Sequence, residues 1–192
     1  MALVTFSDAG LTAIEPLFTN LTFAVSANDR VGLIAGNGRG KTSFLRTILG
    51  ELELSSGDVT RAKGLKLALV PQDVPERFAA MTLNEVVLDA LAPELRDYES
   101  WRVDVVLDDL HAPEALRSRP MQALSGGWQR LGLIAHAFVG EPDLMLMDEP
   151  TNHLDLEKLV QLENWIATTA RGTAMIIASH DRAFLDATTD RT

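Results

Sequence analysis

A lysine followed by two hydroxyl side chains stands directly behind a glycine-rich turn. The turn and its flank are Gly36, Asn37, Gly38, Arg39, Gly40, Lys41, Thr42 and Ser43. Glycines let backbone N–H groups lie against phosphate oxygens where a Cβ would clash, and a helix N-terminus attracts the same negative charge. Lys41 can reach β- and γ-phosphates, and the Thr42 hydroxyl can bind Mg²⁺. The stretch predicts a phosphate-binding loop, or alternatively a glycine-rich turn that binds nothing.

Two carboxylates follow a short apolar run. Residues 144–147 are continuously apolar, as is typical of a central strand buried on both faces, and Asp148 and Glu149 come next. Carboxylates beside a core need compensation, which Mg²⁺ would provide for Asp148. Glu149 could take a proton from an attacking water. The alternative is that both acids cap the next turn.

Two further polar residues follow predicted strands. Gln72 lies just past an apolar segment at 65–70, and His180 lies just past another at 173–178. Open α/β sheets hold their ligands at this carboxyl edge of the strands. For the segment of His180, helix capping by Ser179 or Asp181 is a competing explanation.

A second glycine-rich segment precedes a helical pattern. Its residues Ser125, Gly126 and Gly127 would expose backbone amides at a helix N-terminus, which suits an anionic group. A helix cap with a flexible turn explains the same residues equally well.

These segments require an α/β fold with a mainly parallel sheet. Short apolar segments at 3–6 and 21–25 predict an N-terminal antiparallel portion, with turns at Gly10 and Pro16. Helical periodicity from 81 to about 116 predicts a helical subdomain, at about 76–140, beside the sheet. We expect Tyr98 and Trp101 to be packing residues within it.

Composition limits the class of protein. The 192 residues suit a single domain, here 1–192, and 46% apolar with 23% charged residues is typical of a globular chain. No apolar run approaches the roughly 20 residues of a membrane-spanning helix. The absence of cysteine fits a cytoplasmic location. With a net charge of −10, any contact with RNA would need a local basic patch.

Taken in order, the motifs resemble the ATP-binding domain of the ABC superfamily, a P-loop NTPase fold. The order is phosphate loop, Gln72, Leu-Ser-Gly-Gly, an apolar strand with Asp-Glu, a Leu-Asp turn, and His180. The segments 124–128, 148–155 and 179–186 are most similar to the ABC-F branch of tandem-domain ATPases. The tryptophan at 128 is most similar to the first of the two domains.

The resemblance implies roles for these residues. Residues 36–43 would be the Walker A loop, with Lys41 on the phosphates. Thr42, Asp148 and Gln72 would serve Mg²⁺, and Glu149 would be the general base that activates water. His180 would be the switch histidine and Asp155 part of the D-loop. The signature residues Ser125, Gly126 and Gly127 would contact ATP bound to the opposite domain.

The sequence departs from the family pattern at three places. Ala35 replaces the first Walker A glycine, and Trp128 replaces the usual signature glutamine. Leu11 stands where an aromatic residue normally stacks on adenine, so Phe6 and Phe18 are alternatives, each expected to be a packing residue. Family members continue past the switch histidine, so we expect a C-terminally truncated domain.

Two functions are expected from the resemblance. The first is an ATPase domain of ABC-F type that closes head-to-tail on a second ABC domain, in the same full-length chain or a homodimer, and acts on the ribosome. The second is the ATPase subunit of a membrane transporter whose membrane part is another chain. A nucleotide-binding module with little turnover is a third interpretation, motivated by Ala35.

Overall fold

The computed structural model describes residues 1–13, 15–36 and 40–192. The strands are β1 (Ala2–Thr12), β2 (Pro16–Ser26), β3 (Arg30–Leu33), β4 (Ser56–Arg61), β5 (Leu67–Val70), β6 (Leu144–Asp148) and β7 (Ala174–Ala178). The helices are α1 (Lys41–Leu49), α2 (Leu83–Asp89), α3 (Pro93–Glu99), α4 (Trp101–Asp109), α5 (Glu114–Arg117), α6 (Gly126–Val139), α7 (Leu156–Ala167) and α8 (Arg182–Thr188). The structure thus has the predicted α/β fold.

The N-terminal strands form an antiparallel sheet in the order β2-β1-β4. The prediction of a turn at Gly10 is wrong, because β1 continues to Thr12, which pairs with Pro16 where the chain reverses. Gly10 lies inside the strand at a register shift. A Cβ on Gly10 would lie 2.5 Å from the Ser56 Oγ, so glycine serves the close approach of β4 rather than a reversal.

The second sheet is parallel, in the order β3-β7-β6-β5. Its central strands β6 and β7 are buried along their whole length. Successive residues of β6 pack alternately into two cores. Leu144 and Leu146 face the antiparallel sheet and α1, whereas Met145 and Met147 pack in the core built with the helices. Burial on both faces explains the continuous apolar sequence of these strands.

Most of the chain between 76 and 140 is helical, and α6 packs against both α2 and α4. A capping box starts α2: the Thr82 Oγ1 accepts from the Glu85 N–H, and the Glu85 carboxylate accepts from the Thr82 N–H. None of the helices in the described residues is long and apolar enough to span a bilayer.

The expectation that Tyr98 and Trp101 are packing residues is wrong, because both are exposed. Helix α4 buries Val103, Val106 and Leu107. Trp101 lies outside this buried stripe, and α3, which carries Tyr98, buries none of its residues. Aromatic character alone does not decide which face of a helix is covered.

Two glycines with left-handed backbone conformations give a matched test of the antiparallel sheet. Gly57 and Gly64 have φ of 70° and 75°. A Cβ on Gly57 would lie 2.3 Å from the Asp8 carbonyl oxygen, whereas none of the described atoms lies within 4 Å of one on Gly64. We expect Gly64→Ala to lower the free energy of unfolding by about 1 kcal/mol and Gly57→Ala by about 1–3 kcal/mol more. Urea unfolding measures both, and equal losses would contradict the packing of β4 on β1.

Candidate functional site

A cavity of about 530 Å³ opens at the carboxyl edge of the parallel sheet. Its lining is Gly36, Gly40, Lys41, Thr42, Ser43, Gln72, Asp148, Glu149, Asn152 and His180. The structure therefore brings together side chains from four separate stretches of sequence that were predicted to act together. Asn152 was not predicted as a site residue. Three predicted loop residues, Asn37, Gly38 and Arg39, lie outside the described residues.

The Lys41 ammonium is held by three acceptors. Its Nζ lies 2.6 Å from the His180 Nε2, 2.9 Å from the Glu149 Oε1 and 3.0 Å from the Ala35 carbonyl oxygen. An ammonium group only donates, so in the contact with Lys41 the His180 Nε2 is the acceptor, and the same nitrogen lies 3.2 Å from the Glu149 Oε1. The side chains of Lys41 and Glu149 are buried, so the two charges compensate each other away from water.

Glu149 also has a second contact with the segment of His180. Its Oε2 accepts a hydrogen bond of 3.2 Å from the His180 backbone N–H. The Glu149 backbone is left-handed, with φ of 49°, and its N–H donates to the Ala178 carbonyl oxygen at the end of β7. The carboxylate is thereby fixed between β6 and β7, which places it against both the lysine and the imidazole.

The neighbouring carboxylate has a hydroxyl partner. Thr42 Oγ1 donates to the Asp148 Oδ2 over 2.5 Å, and Asp148 is buried at the end of β6. Hydroxyl, carboxylate and amide oxygens are hard donors of the kind that Mg²⁺ takes. Thr42 and Asp148 are adjacent and Gln72 lines the same cavity, so the donors present fit that ion.

Helix α1 begins at the cavity, which its residues Lys41, Thr42 and Ser43 line. It begins after Gly40, which has φ of 86°, and none of the described side chains caps it. The first N–H groups of such a helix have no intrahelical acceptor and attract anions. A Cβ on Gly40 would also lie 3.0 Å from the Leu17 Cβ, so glycine is favoured by both backbone conformation and packing.

Ser125, Gly126 and Gly127 do not line this cavity. Ser125 is the N-cap residue of α6, but among the described residues its side chain makes no capping hydrogen bond. Added Cβ atoms on Gly126 and Gly127 would lie 2.9 Å from the His153 Cβ and 2.5 Å from the Lys158 Cδ. The glycines thus allow the start of α6 to approach the segment that leads into α7.

The capping explanation holds for Asp181, and Asp155 caps a helix in the same way. Asp181 accepts from the Phe184 N–H at the start of α8. Asp155 accepts from the Lys158 N–H at the start of α7, a hydrogen bond that lowers the pKa of Asp155 below its usual value. Capping does not exclude a role for His180, whose imidazole lines the cavity.

Each of the three candidates for stacking on adenine packs against other residues of the domain. Leu11 is buried in β1 opposite Phe18. The rings of Phe6 and Phe18 pack on Phe44, with centroids 5.1 and 5.7 Å apart. Phe18 also borders an apolar cavity of about 410 Å³ that reaches Gly40. The expectation that Phe6 and Phe18 are packing residues is therefore confirmed.

Arg130 is a residue that the sequence reasoning missed. It is buried in α6, and its guanidinium donates to the carbonyl oxygens of Pro71, at 2.5 Å, and of Gln72. Burial lowers the pKa of Arg130, an effect partly offset by nearby carboxylates, those of Asp73, Asp148 and Glu149. In the sequence, Arg130 stands in an apolar helical segment. Helical periodicity alone would place an arginine there on the surface, so its burial was not predicted. Arg130 fixes the backbone that carries Gln72.

Comparison with known proteins agrees with this geometry. Residues 18–152 match the family described as ABC transporter. The chain is 36% identical over 92% of its length to ATP-binding protein Uup of Caulobacter vibrioides, and 31% identical over 94% to ABC transporter F family member 5 of Arabidopsis thaliana. It superposes with a TM-score of 0.80 on an ATP-binding subunit of an ABC transporter, at 24% identity, covering 98% of this chain and 83% of that one. It also superposes with a TM-score of 0.80 on a bacterial Atm1-family ABC exporter with ATP bound, at 20% identity, covering 96% of this chain and 35% of that one.

The chain belongs to the ABC transporter family, as one of its ATP-binding domains, which hydrolyse ATP. The sequence resemblance to the ABC-F branch is confirmed by relatives of that type. The chain spans 27% of the length of the Caulobacter protein and 31% of the Arabidopsis protein. The two structural likenesses, both below 25% identity, show the fold alone.

Replacing the buried guanidinium tests the anchoring of Gln72. Arg130→Met leaves two carbonyl oxygens without their charged donor, and we expect it to lower the free energy of unfolding by about 2–4 kcal/mol. Arg46→Met is the matched control, because Arg46 is exposed and its ion pair with Glu51 spans 3.8 Å. The control should change stability by less than about 0.5 kcal/mol. Equal effects in urea unfolding would show that Arg130 anchors nothing.

Proposed function

We propose that this domain hydrolyses ATP with Mg²⁺ in the cavity at the carboxyl edge of the sheet. The observation that carries the proposal is the contact of the Lys41 ammonium with both Glu149 and His180. A phosphate-binding cation, a candidate base and a polar imidazole converge there, beside the uncapped start of α1. Phosphoryl transfer needs such positioning and charge stabilisation more than covalent chemistry.

Lys41 and Glu149 would act in sequence on a bound nucleotide. In the structure each neutralises the other, at 2.9 Å. A γ-phosphate competes for the same ammonium, and when Lys41 turns to the phosphate the Glu149 carboxylate is released. A free carboxylate at this position can accept a proton from an in-line water. Nucleotide binding thereby activates the base.

The remaining groups bind and orient the reactants. The N–H groups at the start of α1, with Gly36–Ser43, would hold the phosphates, and His180 would contact the γ-phosphate. Thr42, Asp148 and Gln72 would hold Mg²⁺, which when bound supplies charge stabilisation at the transferring phosphoryl group. Asn152 lines the cavity beside Glu149 and is a further candidate for orienting water.

We further propose that the domain works as one half of a head-to-tail pair. Ser125, Gly126 and Gly127 lie outside the cavity, as expected if they serve ATP bound to a second domain. The relatives of ABC-F type support a tandem-domain arrangement. We propose that such a protein acts on the ribosome in the cytoplasm. The alternative, an ATPase subunit of a membrane transporter, has support from the shared fold alone.

Two substitutions separate phosphate binding from hydrolysis. In the full-length protein, Glu149→Gln should reduce ATP turnover about a hundredfold or more because the base is lost. Lys41→Ala should weaken ATP binding about tenfold or more because a charged hydrogen bond to phosphate is lost. Phosphate release and binding of a fluorescent ATP analogue measure the two effects.

The glutamine keeps the size of the side chain, so Glu149→Gln should retain ATP affinity within a few-fold of the parent. Arg46→Met, on the exposed face of α1, should leave both quantities unchanged. Parental turnover by Glu149→Gln would overturn the assignment of the base.

Association with the ribosome tests the finer part of the proposal. A full-length Glu149→Gln protein that binds ATP without hydrolysing it should remain on ribosomes during sedimentation with ATP, and should dissociate with ADP. Retention should disappear when Lys41→Ala is added, since the double variant cannot hold nucleotide. Sedimentation with neither nucleotide would favour the transporter alternative, and equal sedimentation with ATP and ADP would show that the nucleotide does not control the association.

A further inference from the structure

An aromatic face of the helical segment is not covered by any element of residues 1–13, 15–36 and 40–192. Helices α3 and α4 meet at Ser100, whose φ of −55° and ψ of −26° are helical, so the spacing of residues 95–105 is close to that of one helix. Residues three or four apart then share a face. Leu95, Tyr98, Trp101 and Val105 have this spacing and are all exposed. We call them the α3–α4 face.

The exposure of this face is large for its residue types. Tyr98 is 80% exposed, Trp101 57% and Val105 46%. The opposite side of α4 is packed in the core through Val103 and its neighbours, so the helix cannot turn to cover its outward residues. Contiguous exposed apolar surface marks interaction sites, and tyrosine and tryptophan are the residues that concentrate binding energy there.

The charge around the face is negative. Residues 93–109 contain six carboxylates and two arginines, a net charge of −4, and two of the carboxylates, Asp104 and Asp108, pair with Arg117 of α5. Both arginines are already engaged: Arg96 donates to the backbone of α2 and its C-terminal flank, and Arg102 pairs with Glu99 and Glu141. Within the described ranges, no cation lies at salt-bridge distance from Glu94 or Asp97.

We propose that the α3–α4 face docks a basic amphipathic helix of a partner protein. An apolar stripe on that helix would cover Tyr98 and Trp101, and flanking lysines or arginines would meet Glu94 and Asp97. The negative charge of the face disfavours the two other possible occupants, nucleic acid and a second copy of this chain. Nucleic acid would bring phosphates against carboxylates, and a second copy of this chain would bring the same acidic face against itself.

The face is separate from the nucleotide cavity, since none of its residues lines that cavity. The proposal therefore does not depend on the ATPase assignment. A partner held here would attach to the helical segment and leave the carboxyl edge of the sheet open.

A model peptide tests the chemistry directly. The probe is a labelled 18-residue helical peptide with leucines on one face and lysines on the other, and binding to the 192-residue chain is followed by fluorescence anisotropy. We expect the pair of changes Tyr98→Ala and Trp101→Ala to weaken binding about tenfold or more, because aromatic anchors dominate such interfaces. These side chains are exposed, so circular dichroism should show unchanged folding.

Two comparisons make the test specific. Val105→Ala should weaken binding, whereas Val160→Ala should not, although both valines are 46% exposed and lie on helices. Asp97→Lys should weaken binding several-fold at low salt, and the difference should shrink at 0.5 M salt because the attraction is screened.

Three results would overturn the proposal. Equal binding of a scrambled peptide of the same composition would show that net charge alone attracts the probe. Equal losses for Val105→Ala and Val160→Ala would show that the face is not the site. Concentration-dependent dimerisation that Trp101→Ala abolishes would assign the face to a second copy instead.

Discussion

The structure depends on compensating two carboxylates at the end of a strand that is buried on both faces. Asp148 is the last residue of β6 and Glu149 follows it, and both are buried, so an unpaired charge on either would be costly. Thr42 supplies a hydroxyl to the first, and Lys41 supplies an ammonium to the second. Both donors stand at the start of α1, so the position of that helix over the sheet edge is set by the same contacts that make the site. Stability and chemistry share one set of interactions.

The sequence was sufficient wherever a pattern has a single physical meaning. Continuous apolar runs predicted β6 and β7 because only burial on both faces gives them, and parallel pairing then placed their carboxyl ends together. Gln72 and His180 were placed on the cavity by the same rule. The prediction of a turn at Gly10 was wrong because glycine occurs both in turns and where two backbones approach closely. Only the position of Ser56 distinguishes the two cases.

Other features depended on distances that no periodicity encodes. The exposure of Tyr98 and Trp101 follows from which side of α4 meets α6, a choice made by packing. The contact of Lys41 with Glu149 joins residues far apart in sequence, and its length of 2.9 Å required coordinates. Arg130 was missed because a buried arginine needs acceptors for its guanidinium, and here they are the carbonyl oxygens of Pro71 and Gln72, which come from a distant loop.

The contacts of α6 join the cavity to residues that lie outside it. At its start, Gly126 and Gly127 lie against His153 and Lys158; one turn further on, Arg130 donates to the backbone at Gln72. The loop of Gln72 and the segment leading into α7 are therefore attached to one rigid helix. A displacement of α6 relative to the sheet would leave a buried guanidinium without its acceptors, so the helix and the Gln72 backbone must move together or not at all. In the head-to-tail pair proposed above, a second domain at Ser125 would therefore contact the helix that also holds the Gln72 backbone.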